Sequence, residues 1–274
     1  NLAASFAVSE RRTLLIDLDP QANASSGIGV AQQATHVYDA LIGRYPLKDV
    51  AQPTELEFLR VVPSGPDLVG AEIELVGTEQ RERRMERAVA EVRDDYDIVL
   101  IDCPPSLGLL TLNALTAADS VIVPLQAEYY ALEGLARLLD TIELVRGSLN
   151  PRLVLEGVVL TMMDARNNLS RQVADEVRTH LGDRVFTTEI PRNVRLSEAP
   201  SHGRPALLYD VRSKGSVAYL RVAEEILRRL AATHPSMGDV RGLGLMVAVE
   251  FVKPGEGDGR VPDAALTKRV QQAC

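Results

Sequence analysis

The sequence is poor in cysteine: its 274 residues hold two, Cys103 and Cys274. No C-x-x-C pair is present, which argues against a zinc or iron–sulfur ligand set within one chain. Nothing calls for a disulfide framework, in keeping with a reducing cytosol. No run of about 18 apolar residues occurs, so no segment reads as a membrane span, and no secretory signal pattern is seen. An excess of basic residues is missing too. Thirty Lys and Arg stand against 38 Asp and Glu, a net charge of -8, which speaks against a wholesale nucleic-acid coat but leaves room for a local basic patch. Internal repeats and low-complexity stretches are absent. What remains is ordinary for a globular protein, 46% hydrophobic and 25% charged, and the length suits one large domain or two smaller ones.

Six short apolar runs punctuate the chain: Thr13–Ile16, Phe58–Val62, Asp97–Ile101, Ser120–Val123, Gly157–Thr161 and Val185–Ile190. Pro63, Pro124 and Pro191 are expected to stop the second, fourth and sixth. Runs that are apolar on both faces suit buried parallel strands. Helix-length patterns lie between them, at Gln80–Arg93, Leu107–Ala117, Leu132–Leu149, Ser170–Leu181 and Ser216–Leu230. The alternation predicts an α/β domain with a doubly wound, mainly parallel sheet and flanking helices. The charge-rich stretch Glu79–Arg87 reads as a solvated helix face with mixed-sign pairs.

In an open parallel sheet, ligands bind beyond the carboxyl ends of the strands. Two of the runs end there in acid: Asp17-Leu18-Asp19-Pro20-Gln21 and Asp102-Cys103-Pro104-Pro105-Ser106. A single such Asp is most economically a cap for the next turn. Two in one sheet, one followed by a Pro-Pro turn, point to a metal–phosphate site.

The string from Asp17 to Gly27 (DLDPQANASSG) closely resembles the segment after the second strand of ParA/Soj partition ATPases. Asp102-Cys103-Pro104-Pro105-Ser106-Leu107-Gly108 is similar to their Walker B and switch II. Pro124–Gly134, Ile190–Gly203 and Asp210–Ser216 complete five motifs in order, from Asn1 to about Leu230. The resemblance implies a P-loop-type fold with ATP and Mg²⁺ as cofactors. Asp19 would position the attacking water, with Asp17 an acidic partner close to the magnesium, and Asp102 would hold the metal. Pro104 and Pro105 would stiffen the γ-phosphate sensor. Met163 and Asp164, with Pro191, Arg192 and Asn193, would flank the adenine.

The family's Lys-Gly-Gly-x-Gly-Lys-[Ser/Thr] loop precedes a helix like the one containing Asn1-Leu2-Ala3-Ala4, so this loop and the first strand are expected to lie upstream of Asn1. No G-x-x-x-x-G-K-[S/T] occurs elsewhere, and the chain as given is expected to bind ATP poorly. The resemblance further implies an ATP-dependent homodimer, non-specific DNA as a ligand, a ParB-like protein as partner and a cytoplasmic, nucleoid-associated location with no membrane contact. Arg192, Arg195, Arg204, Arg212, Lys214 and Arg221 crowd one region, of which Arg195, Arg212, Lys214 and Arg221 are the candidate phosphate contacts. Alternatives of other kinds are a truncated, non-catalytic module that keeps DNA or partner contacts, and a positioning ATPase of the MinD type.

Lone features take plain readings. Cys103 reads as a small buried residue, His180 as surface or cap, His202 as a loop residue without a partner base, and Tyr129-Tyr130 as packing. Character changes after about Ala232. Residues 233–274 form a separate α+β tail, whose Gly238–Phe251 stretch resembles the small C-terminal domain of class III aminotransferases. The body, 1–232, reads as the ATPase domain.

Overall fold

The computed structural model describes residues 1–30, 35–128, 131–233, 237–243, 246–253 and 261–262. Its strands are β1 Thr13–Asp17, β2 Gln52–Pro53, β3 Leu59–Val62, β4 Ile98–Asp102, β5 Ser120–Gln126, β6 Val154–Thr161, β7 Met237–Leu243, β8 Met246–Lys253 and β9 Val261–Pro262. The helices begin with α1 Leu2–Val8, α2 Asn23–Ser26, α3 Val37–Leu41, α4 Leu47–Val50 and α5 Leu68–Glu74. They continue with α6 Arg84–Ala90, α7 Leu109–Ala117, α8 Ala131–Ser148 and α9 Asn168–Leu181. The last three are α10 Val194–Glu198, α11 Ala206–Tyr209 and α12 Lys214–Thr233.

β1 is the axis of the fold. It pairs in parallel with β3 on one side and β4 on the other, and all five of its residues are buried. That is why its sequence is apolar without alternation. Arg12 and Asp97 clasp the entry ends of β1 and β4. The Arg12 amide donates to Asp97 Oδ2 at 2.8 Å and its guanidinium to Oδ1 at 2.8 Å. β2 adds a short antiparallel edge to β3, and β5 and β6 form a second parallel pair. One apolar cluster joins the two sheets. Ile98 and Leu100 of β4, Ile122 of β5 and Val159 of β6 pack around Phe6 of α1, Phe186, and Ile226 and Leu227 of α12.

Three of the six predicted runs form strands near their expected limits, and the fourth and fifth extend further, the fifth starting at Val154. β5 runs through Pro124 to Gln126. Proline costs a ladder bond only where its nitrogen faces a neighbour, and β5 is paired on one side alone in its two-stranded sheet. The sixth run is not a strand. Phe186 and Ile190 donate to the carbonyls of Val158 and Leu160 at 2.9 and 2.8 Å, but the amides between them go elsewhere. Thr187 and Thr188 donate to the Glu225 carboxylate of α12 at 2.8 and 3.1 Å. The predicted helix Gln80–Arg93 is cut to a 3₁₀ turn at Arg81–Arg83 followed by α6. Its mixed-sign pairs are present as Arg81–Glu82 and Arg83–Glu86.

In the tail, β7 and β8 pair antiparallel with Leu243 opposite Met246, and β9 adds to β8. The amphipathic piece expected at 264–273 lies outside the described residues.

Candidate functional site

Register brings the two acidic strand ends together: Asp17 and Asp102 are paired neighbours at the tips of β1 and β4. Their surroundings differ. Asp17 is fully buried. Its Oδ2 accepts from the amide of Ser25 at 2.7 Å and from the Ser25 hydroxyl at 2.6 Å, and its Oδ1 accepts from the Asp19 amide at 3.2 Å. The Ser25 hydroxyl in turn accepts from the Ser64 amide, just past β3, at 3.1 Å. Asp17 thus spends its charge on the chain itself, tying together the loops that follow β1 and β3. The resemblance made it an acidic partner of the metal; its arrangement is that of an anchor.

Asp102 has the opposite character. No hydrogen bond reaches its carboxylate among the described residues. Desolvation first, then repulsion from Asp17 and Asp19, push its pKa up to about 6. The residue keeps a solvent-exposed face even though protein crowds the carboxylate. Asp19, whose Oδ1 accepts from Gln21 at 3.0 Å, shares this electrostatic neighbourhood. Pro104 and Pro105 follow in the turn after β4. A bare carboxylate beside two others is a ready partner for a hard divalent cation.

The expected base-flanking residues meet as well. Met163 and Pro191 form a parallel bridge. The Met163 amide donates to the Ile190 carbonyl at 3.0 Å, and the Arg192 amide to the Met163 carbonyl at 2.9 Å. Asp164 accepts from the Arg166 amide at 3.0 Å; this bond and the Arg166 side chain hold its pKa low. The Asn193 side chain caps α10 by accepting from the Arg195 amide at 2.9 Å. Met162, just before, takes a left-handed φ of 55°, a conformation that costs a non-glycine residue of order 1 kcal/mol and concentrates at functional loops.

The basic candidates divide. Arg195 is held between Glu198 at 2.8 Å and Asp210 at 3.3 Å, with its guanidinium over the Tyr209 ring. Arg212, Lys214 and Arg221 are exposed and form no ion pair among the described residues. Arg204 pairs with Glu55.

Cys103 is a packing residue: burial, then Asp102 and Asp19, push its thiol up to about 12. His180 is exposed on α9, 2.9 Å from the Glu176 carbonyl, and the His202 ring stacks on Tyr209. Tyr129 and Tyr130 lie outside the described residues. Sequence reasoning missed Ser25, Ser64 and Glu225. The only trace of the first is a pair of serines eight and nine positions after Asp17, where a loop would carry serine anyway.

A family model described as an AAA domain matches residues 1–155. The chromosome partitioning protein ParA of Myxococcus xanthus is 54% identical over 231 residues, 84% of this chain and 82% of that protein. The sporulation initiation inhibitor protein Soj of Bacillus subtilis is 54% identical over 228 residues, 82% of this chain and 90% of that one. Among solved structures, cobyrinic acid a,c-diamide synthase of Mycobacterium smegmatis with bound ADP and magnesium superimposes with a TM-score of 0.73 at 35% identity, covering 85% of this chain and 90% of that one.

Proposed function

The chain belongs to the ParA/Soj family of chromosome-partitioning ATPases, and from that membership we propose that it serves DNA partition through Mg²⁺-dependent ATP hydrolysis. The observation that carries the reading is the register pairing of Asp17 with Asp102 at adjacent strand tips, with Asp19 in the loop just past β1 and no hydrogen bond to the Asp102 carboxylate among the described residues. No group of three ligating side chains is found among the described residues. Mg²⁺ characteristically takes one or two carboxylates and completes its octahedron with water and phosphate oxygens. Bound there, the ion would neutralise charge on the transferring phosphoryl group. Asp102 would hold it, Asp19 would orient the attacking water, and Asp17 would keep the Asp19 loop in place. The Met163–Asp164 and Pro191–Asn193 segments would flank the base.

Residues 1–232 would form the ATPase domain and 233–274 an appended tail. ATP-dependent dimerisation would create the DNA-binding form, with Arg212, Lys214 and Arg221 on phosphates and a ParB-like partner stimulating turnover at the nucleoid. These 274 residues contain no G-x-x-x-x-G-K-[S/T] loop, so this polypeptide by itself is expected to bind Mg-ATP weakly. A second reading is a module that keeps DNA and partner contacts without turnover. Isothermal titration separates the two. A chain carrying a Lys-Gly-Gly-x-Gly-Lys-Thr loop and its strand ahead of Asn1 should bind Mg-ATP tightly and lose hydrolysis on Asp19→Ala. No binding by that chain sinks the ATPase reading.

A further inference from the structure

α5 is apolar on two faces, and only one is used. Leu68, Ala71 and Leu75 are buried against the core around Leu14, Ile16 and Leu41. On the other side, Val69, Ile73 and Val76 are 57%, 74% and 64% exposed. Their spacing of four and then three residues stacks them into one stripe along α5 and the 3₁₀ turn Leu75–Gly77 that extends it. A second apolar stripe on a surface helix, set apart from the core-facing one, is the kind of exposed face that another element normally covers. Gly70 and Gly77 border the same stripe one turn apart from Ile73, and a methyl group added at either would meet nothing within 4 Å. The face is therefore low and open to close approach by another backbone.

Charge says what kind of backbone. Glu72 and Glu74 lie one residue either side of Ile73, about 100° around the helix in each direction, and Asp67, with its side chain 76% exposed, stands at the N-terminal end. From Val61 to Gln80 the sequence has four carboxylates and no Lys, Arg or His. His36 Nε2 lies 3.8 Å from the Asp67 carboxylate, and the nearby arginines sit at the margins. Arg44 lies beside Tyr38, whose hydroxyl donates to Glu74 at 2.8 Å, and Arg81 donates to the Val76 carbonyl at the far end.

We propose that the Val69–Ile73–Val76 face of α5 is a docking site for an amphipathic helix with aliphatic anchors at helical spacing and Lys or Arg on both flanks. Aliphatic anchors cover the stripe while the flanking cations meet Glu72 on one side and Glu74 and Asp67 on the other. Because α5 abuts the turn after β4 — a β-carbon built on Gly108 falls 2.6 Å from Glu72 Oε1 — an occupant would sit next to the Asp102 loop. The site stands on its own, whether or not the chain hydrolyses ATP.

The probe is a synthetic 18-residue helix with Leu at heptad spacing and Lys at the flanking positions, labelled for fluorescence anisotropy and titrated with the whole 274-residue chain. Binding in the micromolar range is expected, weakening about tenfold between 50 and 500 mM salt. Ile73→Glu should abolish it and Val69→Ser should weaken it. Both positions are solvent-facing, so the fold survives replacement. Equal binding by Ile73→Glu, or equal binding of a peptide with Glu in place of Lys, overturns the proposal. So does sedimentation showing that the chain self-associates through this face, with Ile73→Glu dispersing the oligomer.

Discussion

Asp17 and Asp102 stand side by side in register at the tips of β1 and β4, and the chain satisfies the charge of only one of them. Asp17 is saturated by the loop it organises. Asp102 is left to repel it, which is unfavourable for folding and useful for holding a cation.

That asymmetry has a pH signature. The Asp102 pKa rises from 3.8 to about 6 on folding, so the folded chain binds the proton more tightly. Its ionisation costs stability progressively as pH rises from about 4 to 6 and in full above that. Asp102→Asn should therefore stabilise the nucleotide-free chain at pH 8, by about 1 kcal/mol once solvent screening is allowed for. The gain should vanish near pH 4. Urea unfolding of both proteins at the two pH values checks this, and a gain that is equal at both would contradict it.

Glu225 makes the opposite case. Burial disfavours its charge, but hydrogen bonds from Thr187 and Thr188 outweigh that and hold its pKa below the usual 4.5. Its stabilisation is present above that value and fades as pH falls through the lowered one. Glu225→Ala should cost about 1–3 kcal/mol by orphaning two amides. Amide hydrogen exchange should speed up at Thr187 and Thr188 more than at Phe186 or Ile190, whose partners are main-chain carbonyls.

Gly29, just past the Asp17–Gly27 motif, touches Gly203 of the Ile190–Gly203 motif backbone to backbone. Gly29 has a φ of +78°, and a β-carbon there would fall 2.6 Å from the Gly203 carbonyl oxygen. Gly29→Ala suffers both left-handed strain and a clash with main chain that cannot rotate away. A loss of about 2–4 kcal/mol is expected from the denaturation midpoint.

Among the basic residues, pairing decides. On the proposed DNA-binding reading, replacing Arg212 and Lys214 with Ala should lower the slope of log affinity against log salt by about 0.9 for each lost phosphate contact. Arg195→Ala should change that slope little, because Glu198 and Asp210 already neutralise its guanidinium. A larger effect at Arg195 would reverse this ranking.

The parallel core was legible because β1 is buried along its whole length and β3 at all but Arg60, and the acidic strand ends because apolar runs stop on them. Segment 185–190 misled because β-branched composition reports packing and not the destination of the amides; Glu225, 38 residues away, decides that. Pro124 misled because a strand paired on one side tolerates a missing N–H. The role of Asp17 was hidden for a similar reason: its partner hydroxyl comes from a serine that looks like any loop serine.

The Arg12–Asp97 clasp spans 85 residues. During synthesis at about 5–20 residues per second, the start of β1 is made roughly 4–17 s before the start of β4. For that interval the edge of β1 that pairs with β4 has no partner strand, although β3 is made in time to cover the other edge.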